Sequence, residues 1–153
     1  MAFPIERPRR LRKGPVIRRM VRETRLTAAE FIEPLFAVPE RRARREISSM
    51  PGQYQLGLED LVRECGESQK LGIGAVILFG IPKKKDPMGS EGYARDGVVP
   101  KAIRALKKAF PELYVIADVC LCEYTSHGHC GVVRKGELLN DPSLDLLARC
   151  AVA

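Results

Sequence analysis

Three cysteines, Cys120, Cys122 and Cys130, fall within eleven residues in the stretch Asp118-Val-Cys-Leu-Cys-Glu-Tyr-Thr-Ser-His-Gly-His-Cys-Gly131. Thiolates gathered this closely are the donors of a metal site, and zinc holds such sulfurs at roughly 2.3 Å in tetrahedral geometry. Three protein donors leave a fourth position open for chemistry, whereas four close the site and make it structural. His127 and His129 sit in the same stretch as available fourth donors. The C-x-C-x7-C spacing is not a common zinc-finger pattern, so spacing alone does not separate a metal site from coincidence.

A disulfide is the competing use of these thiols. The chain has five cysteines, an odd number, and no recognisable signal peptide. A cytoplasmic location is therefore expected, where thiols stay reduced. Cys65 and Cys150 fall on the apolar faces of predicted helices and read as buried free thiols acting as small hydrophobes.

Something must bring the three cysteines together. The apolar run Leu113-Tyr-Val-Ile-Ala117 directly before them reads as a buried strand, predicted over Tyr114 to Val119. Residues i and i+2 of an extended chain project to one side, about two rises of ~3.3 Å apart, so a slight bend lets Cys120 and Cys122 share an ion. The chain must then turn back to deliver Cys130, and Gly128 and Gly131 are the expected source of backbone freedom.

Upstream, Glu33-Pro-Leu-Phe-Ala-Val38 reads as a strand made peripheral, or begun, by Pro34. Glu40 to Glu46 reads as a charged loop with Arg41, Arg42, Arg44 and Arg45 solvated, and Met50-Pro-Gly52 as a turn. Leu58, Leu61, Val62 and Cys65 recur at helical spacing. Ala75-Val-Ile-Leu-Phe79 is an unbroken apolar run of the kind covered on both faces in parallel sheets. After the polar loop from Pro82 to Gly97, a second helix has Pro100 in its first turn, Pro111 beyond its end, and Val99, Ile103, Leu106 and Phe110 inward. A third helix is expected with Asp141 as its cap, Pro142 at its first position, and Leu144, Leu147 and Ala151 on one face.

The order β-α-β-α-β-α predicts right-handed parallel α/β units, with ligand loops at the C-terminal strand ends. Three such units make neither a barrel nor an open doubly wound sheet comfortably, since a complete barrel takes about 250 residues, so the chain reads as part of something larger or as a small open sheet. The net charge of +7 comes from the first 25 residues, where nine Lys or Arg face only Glu6 and Glu23. This basic arm, residues 1–25, contains Phe3, Pro4, Ile5, Pro8, Leu11 and Pro15, which suits an extended segment lying on protein. The remaining 26–153 form the domain and are charge-neutral. No apolar stretch approaches the ~18 residues of a membrane span.

These residues resemble a known family. The stretches Arg7-Pro-Arg-Arg-Leu-Arg12, Pro34-Leu-Phe36, Ile47-Ser-Ser-Met-Pro-Gly52, Leu71-Gly-Ile-Gly-Ala-Val-Ile-Leu-Phe-Gly80, Lys85-Asp-Pro-Met-Gly-Ser-Glu91 and Asp118 to Gly131 are similar to the N-terminal half of 5-aminolaevulinate dehydratase, also called porphobilinogen synthase. The cysteine stretch carries most of the specificity and resembles the zinc-binding form of the family rather than the magnesium-using form. The resemblance implies the N-terminal part of a (β/α)8 TIM barrel, cut before its fourth strand, with an arm that embraces a neighbouring subunit in a homo-octamer. It implies condensation of two 5-aminolaevulinate molecules to porphobilinogen with loss of two waters. It makes Cys120, Cys122 and Cys130 the ligands of a Zn2+ cofactor and Asp118 a catalytic residue beside it. The family's two Schiff-base lysines lie on later strands, so these 153 residues alone are expected to be inactive. Lys83, Lys84 and Lys85 match no catalytic motif and read as a solvated run.

Two other functions compete. A zinc-stabilised basic nucleic-acid module would use the arm as its electrostatic footprint, but residues 26–153 are neutral and aromatic residues for base stacking are scarce. A thiol redox protein would want Cys-x-x-Cys at a helix start, which Cys120-Leu-Cys122 is not. The expected partners are thus a small-molecule substrate and further copies of the subunit, with neither nucleic acid nor membrane.

Overall fold

The computed structural model describes residues 4–153. Phe3 of the arm lies outside them. Residues 4–25 contain no buried position. They are not extended throughout: a 3-10 turn spans Pro8–Arg12 and a short helix, α1, spans Pro15–Met20. Each begins on a proline, whose fixed φ presets the first turn of a helix.

The central sheet is built from β1 (Ile32–Ala37), β2 (Arg44–Glu46), β3 (Tyr54–Leu56), β4 (Ala75–Gly80) and β5 (Tyr114–Ala117), in the order β2-β3-β1-β4-β5. β3, β1, β4 and β5 run parallel, while β2 is antiparallel to β3. Helix α2 (Leu58–Lys70) connects β3 to β4, and α3 (Val98–Ala109) connects β4 to β5. Helix α2 thus carries the chain from β3 past β1 to β4, and α3 carries it one strand further in the same direction, to β5. Right-handed crossovers then place both helices on one face of the sheet, which is the winding of a barrel.

One core lies between that face and the helices. Leu35 and Ala37 of β1 and Val76 and Leu78 of β4 pack there with Leu61 and Cys65 of α2 and Ala102 and Leu106 of α3. β4 was expected to be covered on both faces, yet it alternates: Ala75, Ile77 and Phe79 point to the opposite side and are only half-buried. On that side Phe36 stacks on Phe79 with ring centroids 5.4 Å apart.

Pro34 does not make β1 peripheral. The strand lies between β3 and β4, and Pro34 falls where only β4 flanks it, because β3 pairs just with Phe36 and Ala37. The segment read as a charged loop contains β2, which forms a hairpin with β3 around Met50-Pro-Gly52. Its arginines are solvated, as expected of a charged edge strand. They also pair with α2: Arg44 with Glu64 at 2.7 Å, and Arg41 and Arg42 with Glu59.

Beyond β5 the chain forms a second hairpin, β6 (Val132–Arg134) with β7 (Glu137–Leu139), and then helix α4 (Asn140–Val152). Asp141 is not the cap of α4, since the helix starts one residue earlier and Leu139 precedes it without a side-chain cap bond. Nor do Leu144 and Ala151 face inward. Leu144 is 56% exposed, and the buried positions are Ser143 and Leu146, which set the helix against Leu121 and Val132. Ser143 fixes this rotation: its hydroxyl accepts from the Val132 N–H at 2.9 Å and donates to the Leu139 carbonyl. Cys150 is half-buried in the same small cluster rather than fully enclosed.

Candidate metal centre

β5 ends at Ala117, and the Asp118 N–H still donates to the Leu78 carbonyl of β4 at 3.1 Å. The sheet therefore anchors the entry to the cysteine loop. Cys120 Sγ lies 3.3 Å from Cys122 Sγ and 3.0 Å from Cys130 Sγ, and all three sulfurs fall within 4.8 Å of one another. All five cysteines are free thiols. Tetrahedral bonds of ~2.3 Å separate sulfurs by ~3.8 Å, so seating a cation needs these sulfurs to spread by under about 1 Å. An all-thiolate set is soft and suits zinc over magnesium.

Two carboxylates stand beside the sulfurs. Asp118, Cys120 and Glu123 form a second group whose donor atoms lie within 4.8 Å of one another, sharing Cys120 with the first. Glu123 Oε2 is 3.4 Å from Cys122 Sγ. Burial, then the hydrogen bond and charge of Glu123, raise the Asp118 carboxyl above its ordinary range. Burial and the Cys130 thiol raise Cys120, and burial followed by the Cys120 and Cys130 thiols raises Cys122. Without a cation Cys120 and Cys122 keep their protons, and a bound divalent ion reverses that balance.

The His127 ring is engaged elsewhere, and the His129 ring stacks on it with centroids 5.6 Å apart. His127 Nε2 is 3.2 Å from the Pro87 carbonyl, and its Nδ1 accepts the His129 backbone N–H at 3.2 Å. Neither joins a metal-capable group among the described residues. Lys83, Lys84 and Lys85 are exposed in the loop after β4, as is every other lysine among the described residues.

The loop is seated by residues that apolar patterning passes over. Leu121 and Tyr124 are buried. The Tyr124 ring packs over Gly92, where an added Cβ would come within 2.9 Å of the ring and 3.2 Å of Cys150 Sγ. Gly128 has φ +74°, so it supplies the left-handed turn expected of it. Gly131 does not: its φ is not positive, and it is small because Ser143 occupies the space a side chain would need. Asp86, in the loop after β4, pairs with Thr125 in a parallel bridge that ties the two loops together. The contact is made by backbone groups alone, the Asp86 N–H donating to the Tyr124 carbonyl and the Ser126 N–H to the Asp86 carbonyl.

Comparison with known proteins places the chain in a family. The family model for delta-aminolevulinic acid dehydratase matches residues 5–153. The delta-aminolevulinic acid dehydratase of Synechococcus elongatus is 54% identical over 155 residues, covering 99% of this chain and 48% of the relative. That of Halalkalibacterium halodurans is 53% identical over 148 residues, covering 97% and 45%. The crystal structure of delta-aminolevulinic acid dehydratase (porphobilinogen synthase) from Toxoplasma gondii, in complex with the reaction product porphobilinogen, superposes with a TM-score of 0.92 at 42% identity, over 99% of this chain and 44% of that one. The chain spans about half the length of these relatives, and its sheet corresponds to part of a TIM barrel. No helix among the described residues is long and apolar enough to cross a membrane. On sequence and fold together, the chain belongs to the delta-aminolevulinic acid dehydratase family.

Proposed function

We propose that this chain supplies the metal-binding part of a porphobilinogen synthase, which condenses two 5-aminolaevulinate molecules to porphobilinogen with loss of two waters. The observation that carries this reading is the convergence of Cys120, Cys122 and Cys130 at the C-terminal end of a parallel strand in a member of that family. Cys120, Cys122 and Cys130 would hold zinc, with no fourth ligand from His127 or His129. When bound, zinc offers a Lewis acid and an open coordination position at which a substrate carbonyl can be polarised.

Asp118 stands at the mouth of the sheet beside the thiols, where its carboxyl can hold or pass a proton at the reacting group. Covalent capture of substrate needs lysines in desolvated pockets. The exposed lysines here do not meet that requirement, so the Schiff-base lysines belong to later strands. The division into an arm, 1–25, and a barrel part, 26–153, rests on the basic charge of the first and the neutrality of the second, and the absence of buried positions among residues 4–25 is in keeping with it. We read the arm as docking on a neighbouring subunit of a homo-oligomer, an octamer by family resemblance, in the cytoplasm.

A chimera tests the whole reading. The 153-residue chain joined to the remaining half of the Synechococcus elongatus dehydratase should form porphobilinogen, and should lose that activity on chelation or on Cys130→Ser. The 153 residues alone should form none, even with zinc. A folded, zinc-loaded chimera without activity, or activity from the purified chain alone, would sink the proposal.

A further inference from the structure

We propose that Thr125 and Asp86 are positioning residues that clamp the cysteine loop and so set where Cys130 stands; the inference rests on the metal reading above. Cys120 and Cys122 follow β5 directly, and the sheet places them. Cys130 comes eight residues after Cys122, is exposed, and belongs to no strand. Its place next to Cys120 depends on the turn that returns it.

Thr125 holds that turn from within. It is 1% exposed, and its hydroxyl donates to the carbonyl of His129, the residue before Cys130, at 2.9 Å. Its backbone N–H donates to the Leu121 carbonyl at 2.8 Å, so one residue ties the start of the loop to its end. Asp86 holds the turn from outside. Its carbonyl accepts the Ser126 N–H at 3.0 Å, and its N–H donates to the Tyr124 carbonyl at 3.3 Å. Its carboxylate is occupied within its own loop, accepting from the Met88 N–H at 2.7 Å and from the Ser90 N–H and hydroxyl. Asp86 is thereby a rigid backbone rail against which the cysteine loop pairs.

A cation bound by three sulfurs benefits when the third is already in place, because the ordering cost is met in folding rather than in binding. Loss of a group that orients a metal ligand typically lowers affinity 10–100-fold. The test uses the 153-residue chain with zinc, competed against a chromophoric chelator, and with Co2+, whose thiolate charge-transfer band counts bound sulfurs. Thr125→Val keeps the branched shape and removes the hydroxyl. It should bind zinc roughly 10–100-fold more weakly and show a Co2+ band reduced toward two thiolates, while Thr125→Ser stays within ~3-fold of wild type. A merely structural threonine would lower the melting temperature and leave the Co2+ band unchanged. Should Thr125→Val lose its far-UV circular dichroism, Asp86→Ala carries the test, with an expected loss of roughly tenfold, the lower end of that range. Wild-type affinity and Co2+ spectrum in the folded variants would overturn the clamp alone. A wild-type chain that binds no zinc would overturn the metal reading and the clamp with it.

Discussion

Tyr124 closes the space above Gly80: a side-chain carbon added at Gly80 would run into the Tyr124 hydroxyl oxygen and into Val99 of α3. The last residue of β4 is thus kept small by a residue of the cysteine loop. This couples the sheet to the cysteine loop. Gly80→Ala should destabilise the protein by about 1–3 kcal/mol, the usual cost of overpacking a filled site. Urea unfolding measures it, and an unchanged midpoint would show that Tyr124 moves aside freely.

Metal affinity should rise with pH. Cys120 and Cys122 are held above the ordinary thiol range, so they carry protons near neutrality and a cation must displace them. Each displaced proton steepens the dependence by about tenfold per pH unit. Calorimetric zinc titrations in buffers of different ionisation enthalpy should reveal the released protons. Cys130→Ser should weaken binding more than about 100-fold, beyond the effect of losing an outer partner. Binding independent of pH would mean that thiols are not the donors.

Cys65 makes an alkaline prediction. Its side chain is fully buried, and burial pushes the thiol up to about 12. The folded state therefore grips this proton more tightly than the unfolded chain, whose thiol titrates near ~8.5. The resulting stability is complete below the unfolded value and is lost as pH climbs toward the folded one. Burial also raises Tyr124, which adds a parallel loss at higher pH. Urea midpoints followed upward from about pH 8 should fall in wild type and fall less in Cys65→Ala. Parallel curves for the two proteins would refute this assignment.

Removing the arm should leave the domain intact. None of residues 4–25 is buried, and apolar Ile5, Leu11, Val16 and Met20 are exposed. Deletion of residues 1–25 should shift the melting temperature by no more than a few degrees, since little apolar area leaves the core. It should change the association state of the chimeric enzyme, read by sedimentation. An unaltered assembly would remove the arm from the interface.

The local pattern carried much of this protein. Helix α2 with Leu61 and Cys65 inward, helix α3 with Pro100 in its first turn and Pro111 beyond its end, and the parallel strands β1, β4 and β5 all follow from spacing that each element shows by itself. The candidate metal donors were legible too, because Cys120, Cys122 and Cys130 are close in the chain and follow an apolar run. Tertiary structure decided what depends on partners. β2 hid among arginines, since an exposed edge strand has no apolar stripe to reveal it. The rotation of α4 was set by a hydrogen-bonded serine, Ser143, which hydrophobic periodicity does not count. The meeting of Asp86 with Thr125 joins residues 39 positions apart through backbone groups. Every residue carries those same groups, so their pairing leaves no mark in the order of side chains and exists only once the sheet has brought the two loops together.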